Sequence, residues 1–456
     1  MLVAALGVSW FAAVVLALVD GRRRTAGWLA VGALAVSFVL LAVLTGLVLD
    51  GEPREQVAGG WAPDVGITLR ADALGAIFAL TSVGVLLAAL TYEVAAGIGS
   101  RMFPALVLFL ATGLIGLFLT ADVFSFYVFF ELSMIAAYVL SAYGNEARQL
   151  SAGFIFAVVN LLGSFLFLLG VAAIYHVTGS LAMDTVAERI ADVEPNAVIL
   201  IAVGIFVAFG VKLGLFPFHF WLPTVYTSAS PGVAAMLSGA VANIGSYGLL
   251  RFGAGLLPAE LELGAVVLIA LGTASILYGA VQAISRRASA EVLAYSAIGQ
   301  AGYVLIALGI GGTVGFTAAV VYSIANALHK ALLFLTVEVH GWLVGLAFAV
   351  GAFSVAGVPP TAGFFGKLEL FRAGVEEQSA ALVALIFLGG ALSFVYMFQI
   401  YQHDFWRGER TGEASSAILR AVPVALMALV VALGLWPEPL LAAGREAAEV
   451  LAEAPR

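Results

Sequence analysis

The chain has 456 residues, of which 62% are hydrophobic and only 11% charged, with a mean hydropathy of +1.08 and a formal net charge of −8. A water-soluble domain keeps about a quarter of its residues charged, so lipid must be the main solvent, and the absence of a clustered basic face argues against nucleic acid as a partner. There is no cysteine, which excludes disulfides, thiolate metal sites and Fe–S ligation, and the five histidines show no His-x-x-x-His spacing, so no metal or redox cofactor is expected on this chain.

The first apolar run, 2–19, ends at Asp20-Gly21-Arg22-Arg23-Arg24. A cleaved leader has its basic cluster before the apolar run, so this one reads as a retained first span. A span needs about 20 mostly apolar residues. Runs of that length predict about 14 spans: 2–19, 27–49, 71–92, 103–120, 123–143, 152–175, 197–216, 232–252, 261–283, 292–310, 313–339, 342–373, 379–401 and 416–436. The segment 342–373 is too long for one straight span and contains Pro359-Pro360, which predicts a broken helix. Arg22, Arg23, Arg24, Arg101, Arg148, Arg286, Arg287, Arg407 and Arg410 fall on alternate loops, while the opposite loops carry Glu52, Glu55, Asp64, Asp184, Glu188, Asp192 and Glu194. Positive charge stays in the cytoplasm, which places both termini outside it. No soluble domain interrupts the spans, and the tail after Trp436 reads as a short amphipathic helix on the membrane surface.

Ionisable side chains inside a span cost roughly 2.5–3.5 kcal/mol or more and mark ion pathways. Glu131 stands in the middle of VFSFYVFFELSMIAAYVL with nothing on its own span to neutralise it; the alternative is a carboxyl kept protonated in an apolar site. Lys212 stands in IAVGIFVAFGVKLGLFPFHFWLP, too deep to snorkel easily. Pro217 donates no backbone hydrogen bond and frees the carbonyl of Leu213, which predicts a hydrated break beside the lysine. Lys330 follows His329, with Asn326 one turn earlier. His329 titrates near neutral pH in water and points about 100° round the helix from Lys330; its alternative is a packing histidine with a backbone partner. Lys367 follows Pro359-Pro360, which free the carbonyls of Val355 and Ala356. Two broken spans, five apart and each with a lysine, point to paired repeats of the transporter kind. The alternatives are a lysine snorkelling near a span end for Lys212 and a helix-loop-helix whose lysine faces the interface for Lys367. The chemistry these groups allow is proton transfer. While Glu131 and Lys212 attract each other both stay charged, and when the glutamate is drawn away the lysine gives up its proton more readily.

These motifs resemble the proton-conducting membrane transporter family, which comprises the antiporter-like subunits of respiratory complex I, the membrane-bound hydrogenases and Mrp-type sodium/proton antiporters. FYVFFELSMIAAYVL resembles its fifth span and implies that Glu131 is the essential glutamate. FGVKLGLFPFHFWLPTVYTSASPGVAAMLSGAVANIGSYGLLRF resembles the seventh and eighth spans and implies that Lys212 is the central lysine. LAYSAIGQAGY resembles the tenth span, ANALHKALLFL the eleventh and GVPPTAGFFGK the broken twelfth, which gives Lys330 and Lys367 the relay and exit roles. The resemblance implies an all-α membrane fold of about 14 helices with two inverted five-helix repeats and a polar axis along the midplane. The division is then 1–102 for the first three spans, 103–252 and 261–401 for the two repeats, and 416–456 for the last span and tail.

Three features depart from the pattern. Asn243 replaces a lysine common in the eighth span, Ala288-Ser289-Ala290-Glu291 replaces Asp-x-Lys-Arg, and the link around Glu338 to Gly341 looks shorter than the family's. Within the family the fifth span and the chain length look most like the D-type chain of Mrp antiporters. The functions implied are sodium/proton antiport as one subunit of an Mrp complex in a prokaryotic plasma membrane, or proton pumping in a redox-driven quinone reductase or hydrogenase. A scaffold subunit with reduced conduction, which Asn243 favours, and a part of a bicarbonate-uptake complex are the remaining readings. Other membrane subunits of the same complex are the expected partners.

Overall fold

A computed structural model describes residues 1–49, 51–57, 59, 66–144, 146–406 and 416–452. Asp64, Arg407 and Arg410, used above to orient the loops, lie outside the described residues. The chain opens with α1 (Leu2–Ala17) and α2 (Arg24–Leu49). A two-stranded antiparallel hairpin, β1 (Arg54–Val57) with β2 (Thr68–Ala71), joins α2 to α3 (Ala73–Ala96) and is an addition to the all-α expectation. Asp72 starts α3 by accepting the N–H of Gly75, satisfying a donor that the first turn leaves free. Next come α4 (Phe103–Phe118), α5 (Val123–Ser141), α6 (Ala147–Thr178) and a short surface helix, α7 (Met183–Ile190).

The predicted seventh span is broken into α8 (Pro195–Leu213) and α9 (Trp221–Ser228). The eighth consists of α10 (Pro231–Met236) and α11 (Asn243–Gly248), with π-helical turns at Leu237–Val241 and Leu249–Ala254. Such turns cluster at functional sites. The second half runs through α12 (Pro258–Leu263), α13 (Ala265–Ser285), α14 (Ser289–Ile310) and α15 (Gly312–Phe334). The predicted break at Pro359-Pro360 separates α16 (Trp342–Ala356) from α17 (Ala362–Glu376). The chain then passes through α18 (Ala380–Ile400), α19 (Ala417–Leu435) and α20 (Glu438–Ala452).

Eleven helical segments among the described residues are long and apolar enough to cross a membrane. Three shorter apolar helices, α1, α4 and α16, fall on other predicted spans. The inner and outer helices differ sharply. The apolar stretch of α15 is buried throughout, whereas only 22% of that of α19 is. Outer helices instead expose large apolar side chains such as Phe11, Phe154, Leu162, Val266 and Phe387, which in water would be untenable and in lipid are solvated.

Contacts between loops tie together each end of the bundle. The Gly21 N–H donates to the Arg101 carbonyl, joining two arginine-bearing loops. At the opposite end Arg70 bonds Asp184 and Glu55. The tail helix α20 lies against α15 and α3 and buries the face made by Leu440, Ala443, Gly444, Ala447, Ala448 and Leu451.

Candidate functional site

All three predicted lysines are buried: Lys212 is 5% exposed, Lys330 6% and Lys367 3%. None snorkels to an interface. Lys212 occupies the last turn of α8, which stops at Gly214 in the left-handed conformation (φ 69°). The helix therefore ends at Gly214, three residues before Pro217, so the break stands directly beside the lysine. It is the Val211 carbonyl that takes a new partner, the indole N–H of Trp221 at 3.1 Å. The ammonium of Lys212 donates to the Asn160 carbonyl at 3.1 Å and the Ser164 hydroxyl at 3.2 Å, both on α6, and stands 4.3 Å from the centre of the Phe130 ring. A cation held only by neutral dipoles and a ring is less strongly held than one in an ion pair.

Glu131 follows Phe130 on α5 and does not bond Lys212, although its charge reaches the lysine. Glu131 Oε1 is buried without a hydrogen-bond partner among the described residues, and so is Asn160 Oδ1. Unmet acceptors beside a lysine are expensive unless water or a proton reaches them. A cavity of about 10 Å³, the space of a single water, lies among Asn160, Lys212, Trp221 and Tyr226 and extends to Ala242. Asn243 follows Ala242 and donates to the Ser82 hydroxyl at 3.0 Å.

In the second half, Lys330 donates to the Ala297 carbonyl of α14 at 3.2 Å. His329, wholly buried, faces a different way, as the helix period requires: it meets Ser354 and Asn326, each at 3.2 Å, so its partners are side chains and not the backbone. Ser354 also accepts the Gly363 N–H, so His329 is tied to both sides of the break between α16 and α17. Lys367 donates to the Ala356 carbonyl at 3.3 Å, one of the two that Pro359-Pro360 were expected to free, and to the Tyr303 hydroxyl at 3.5 Å. Its ammonium lies 4.7 Å from the centre of the Tyr303 ring.

The structure thus gathers Lys330, His329 and Lys367 around α14, α15 and the α16–α17 break. It brings Lys212 to α6, leaves Glu131 unbonded to it one residue past the Phe130 ring, and places Asn243 one residue beyond the Lys212 cavity. Several polar residues around these groups carry no strong sequence signal. Asn160 and Ser164 are neutral and common in spans. Glu93 lay one residue past the predicted end of the third span; α3 runs on to Ala96, and the buried carboxylate accepts the Ser230 hydroxyl and the Gly232 N–H at the start of α10. Arg251 forms a buried ion pair with Asp72 at 2.7 Å. Gln300 and Tyr303 sat inside a segment already singled out, and a glutamine amid small apolar residues was the available clue.

Relatives give this arrangement a setting. A putative antiporter subunit mnhD2 of Staphylococcus haemolyticus is 31% identical over 88% of this chain and 84% of its own. The D chain of the Na(+)/H(+) antiporter of Alkalihalophilus pseudofirmus is 30% identical over 92% and 90%. Among solved structures, a chain of the Mrp complex from Dietzia sp. DQ12-45-1b superposes with a TM-score of 0.91 at 26% identity, covering 99% of this chain and 97% of that one. A chain of the membrane-bound sulfane sulfur reductase, an archaeal respiratory membrane complex, superposes with a TM-score of 0.90 at 25% identity, covering 100% and 98%. The family profile matches in two segments, 120–342 and 340–393, which meet where the link between α15 and α16 looked short. On that match and those relatives, this antiporter-like membrane chain belongs to the NADH:quinone oxidoreductase/Mrp antiporter transmembrane family.

Proposed function

We propose that this chain is the proton-conducting, antiporter-like subunit of a multi-subunit membrane complex that exchanges a cation, Na+, for H+. Glu131 and Lys212 form the switch. Lys330, assisted by His329, relays the proton, Lys367 passes it out, and Asn243 holds water where a charged relay would otherwise stand. The regions 103–252 and 261–401 act as the paired repeats around this axis. The arginine-bearing loops face the cytoplasm of a prokaryotic cell, with both termini outside.

The observation that carries the reading is the contrast at α5 and α8: a buried lysine held by neutral groups and facing the Phe130 ring, with an unpartnered carboxylate oxygen on the next residue of α5, Glu131. Moving Glu131 toward the ammonium would favour the charged lysine, and moving it away would favour proton release. Resemblance to the sulfane sulfur reductase membrane chain supports a second reading, a proton pump driven by redox chemistry elsewhere in the complex. The chains that co-purify in mild detergent separate the two: small membrane subunits alone support antiport, and Fe–S or flavin subunits support the redox pump.

The test is sodium-driven proton flux in inverted membrane vesicles holding the whole complex. Glu131→Gln and Lys212→Arg should both reduce flux to background while the complex still assembles, the second because arginine keeps its proton. Full flux in Glu131→Gln would overturn the switch.

A further inference from the structure

A second set of buried polar groups lies beyond the lysines, where α14 packs against α18. Tyr396 is its junction. Its hydroxyl lies 3.0 Å from those of Ser296 and Ser393 and 3.2 Å from the Gln300 amide nitrogen, and Gln300 in turn accepts from Tyr322. All five side chains are at most 3% exposed. Tyr303, the hydroxyl partner of Lys367, points at Gly389 of α18; a Cβ there would collide with its oxygen. Ser393, one turn further along α18, donates to the Gly389 carbonyl at 2.7 Å.

These groups are aligned along both helices. Ser289, Ser296, Gln300 and Tyr303 follow one face of α14, and Gly389, Ser393, Tyr396, Ile400 and Asp404 follow one face of α18 and its π-helical extension, Tyr401–Trp406. At the far end Ser289 donates to Asp404, whose side chain is 23% exposed and bonded to the exposed His403. That end adjoins Arg286 and Arg287, on the arginine-bearing face. Between Tyr396 and Asp404 lie two turns, about 12 Å of rise, occupied by buried Ile400 and, on α14, buried Leu293.

The geometry points to the α14–α18 seam as a proton branch that joins Lys367 to the arginine-bearing face through Tyr303, Ser393, Tyr396 and Ser296, with Asp404 as its surface terminus and Ile400 as its closure. This assignment rests on the transport reading above. A proton leaving Lys367 binds the Tyr303 oxygen as that hydroxyl passes on its own. Water carries the proton from Tyr303 to Ser393, which meet at Gly389 without a bond between them; the same exchange at Ser393, Tyr396 and Ser296, and water admitted past Ile400, ends with a neutral amine on Lys367 and one proton on the Asp404 carboxylate.

A double-mutant cycle on the whole complex in vesicles tests it. Tyr396→Phe keeps the ring and removes the junction hydroxyl; Asp404→Asn removes the terminus. Each should lower sodium-driven proton flux on the order of tenfold, less than the roughly hundredfold typical of a group that transfers the proton directly, because water bridges part of the gap. The double variant should be no worse than the poorer single one, since both block one route. Structural effects of sites this far apart add, so a loss equal to the product of the two would overturn the branch. Unchanged flux in Tyr396→Phe would overturn it too and leave the Glu131–Lys212 reading intact, whereas a wild type without flux overturns both. Should Tyr396→Phe not assemble, Ser393→Ala takes its place with the same expectation.

Discussion

The two broken helices solve the same problem with different chemistry. At the first break the lysine precedes the gap, on α8, and draws on a neighbouring helix for its partners, Asn160 and Ser164. At the second the lysine follows the gap, on α17, and folds back on the break itself, taking the Ala356 carbonyl. The first lysine has an acid within electrostatic reach; the second has a tyrosine. A carboxylate can alternate between attracting and abandoning a cation, while a phenol only passes protons along. The difference suggests a gate in the first half and a conduit in the second.

Substitution at the two capping glycines breaks this comparison most severely. Gly214 and Gly357 both sit at left-handed φ, 69° and 81°. Alanine in that conformation costs roughly 1–2 kcal/mol, so thermal unfolding in detergent should detect both changes. A Cβ on Gly357 would also stand 2.6 Å from Cδ of Lys367, whereas one on Gly214 meets the flexible Leu222. Gly357→Ala should therefore abolish proton flux as well as lower stability, and Gly214→Ala should mainly lower stability. Equal flux in the two variants would show that the Lys367 stem does not depend on the break.

A smaller effect separates the polar supports. Ser164→Ala removes one of two hydrogen-bond partners of Lys212, and Ser354→Ala removes a group that joins His329 to Gly363. Each should cost about 1 kcal/mol of stability, the usual net worth of one such bond. Under the proposed Glu131–Lys212 switch, Ser164→Ala should shift the pH profile of flux more than Ser354→Ala does, because Ser164 alone of the two bonds Lys212. An unchanged profile would count against Lys212 as the gating base.

The smallest effect lies outside the spans. Glu194 caps α8, and the backbone N–H groups of Asn196 and Ala197 hold its carboxyl below the ordinary 4.5. A lowered folded value means that the cap contributes stability above pH 4.5 and loses it as the pH falls through that lower value. α16, which begins at Trp342, has no side-chain cap. Glu194→Gln should therefore flatten the acid limb of the stability curve slightly, and a limb identical to wild type would show that the cap adds nothing in solution. Amide exchange at the start of α8 and of α16 gives a local reading of the same difference.

Much of the architecture was legible because its causes are local. Long apolar runs place the helices, and prolines with glycines place the two breaks. The four ionisable groups stand out because each contradicts the hydropathy around it. The roles of the neutral groups were hidden for the complementary reason. Asn160, Ser164 and Tyr396 are unremarkable in a span until another helix puts a donor beside them. Glu93 was missed by one residue of boundary, and the Asp72–Arg251 pair because its partners are 179 positions apart.

By itself the sequence determined that lipid is the solvent, where the helices start and break, and which side chains are too costly to be accidental, since all of these follow from transfer energies and backbone chemistry within a few residues. Only the tertiary structure decided what those side chains touch. It put Lys212 on α6 and off Glu131, Lys330 on α14, and His329 across the second break, because hydrogen bonds between helices depend on how the helices pack, which no single segment specifies.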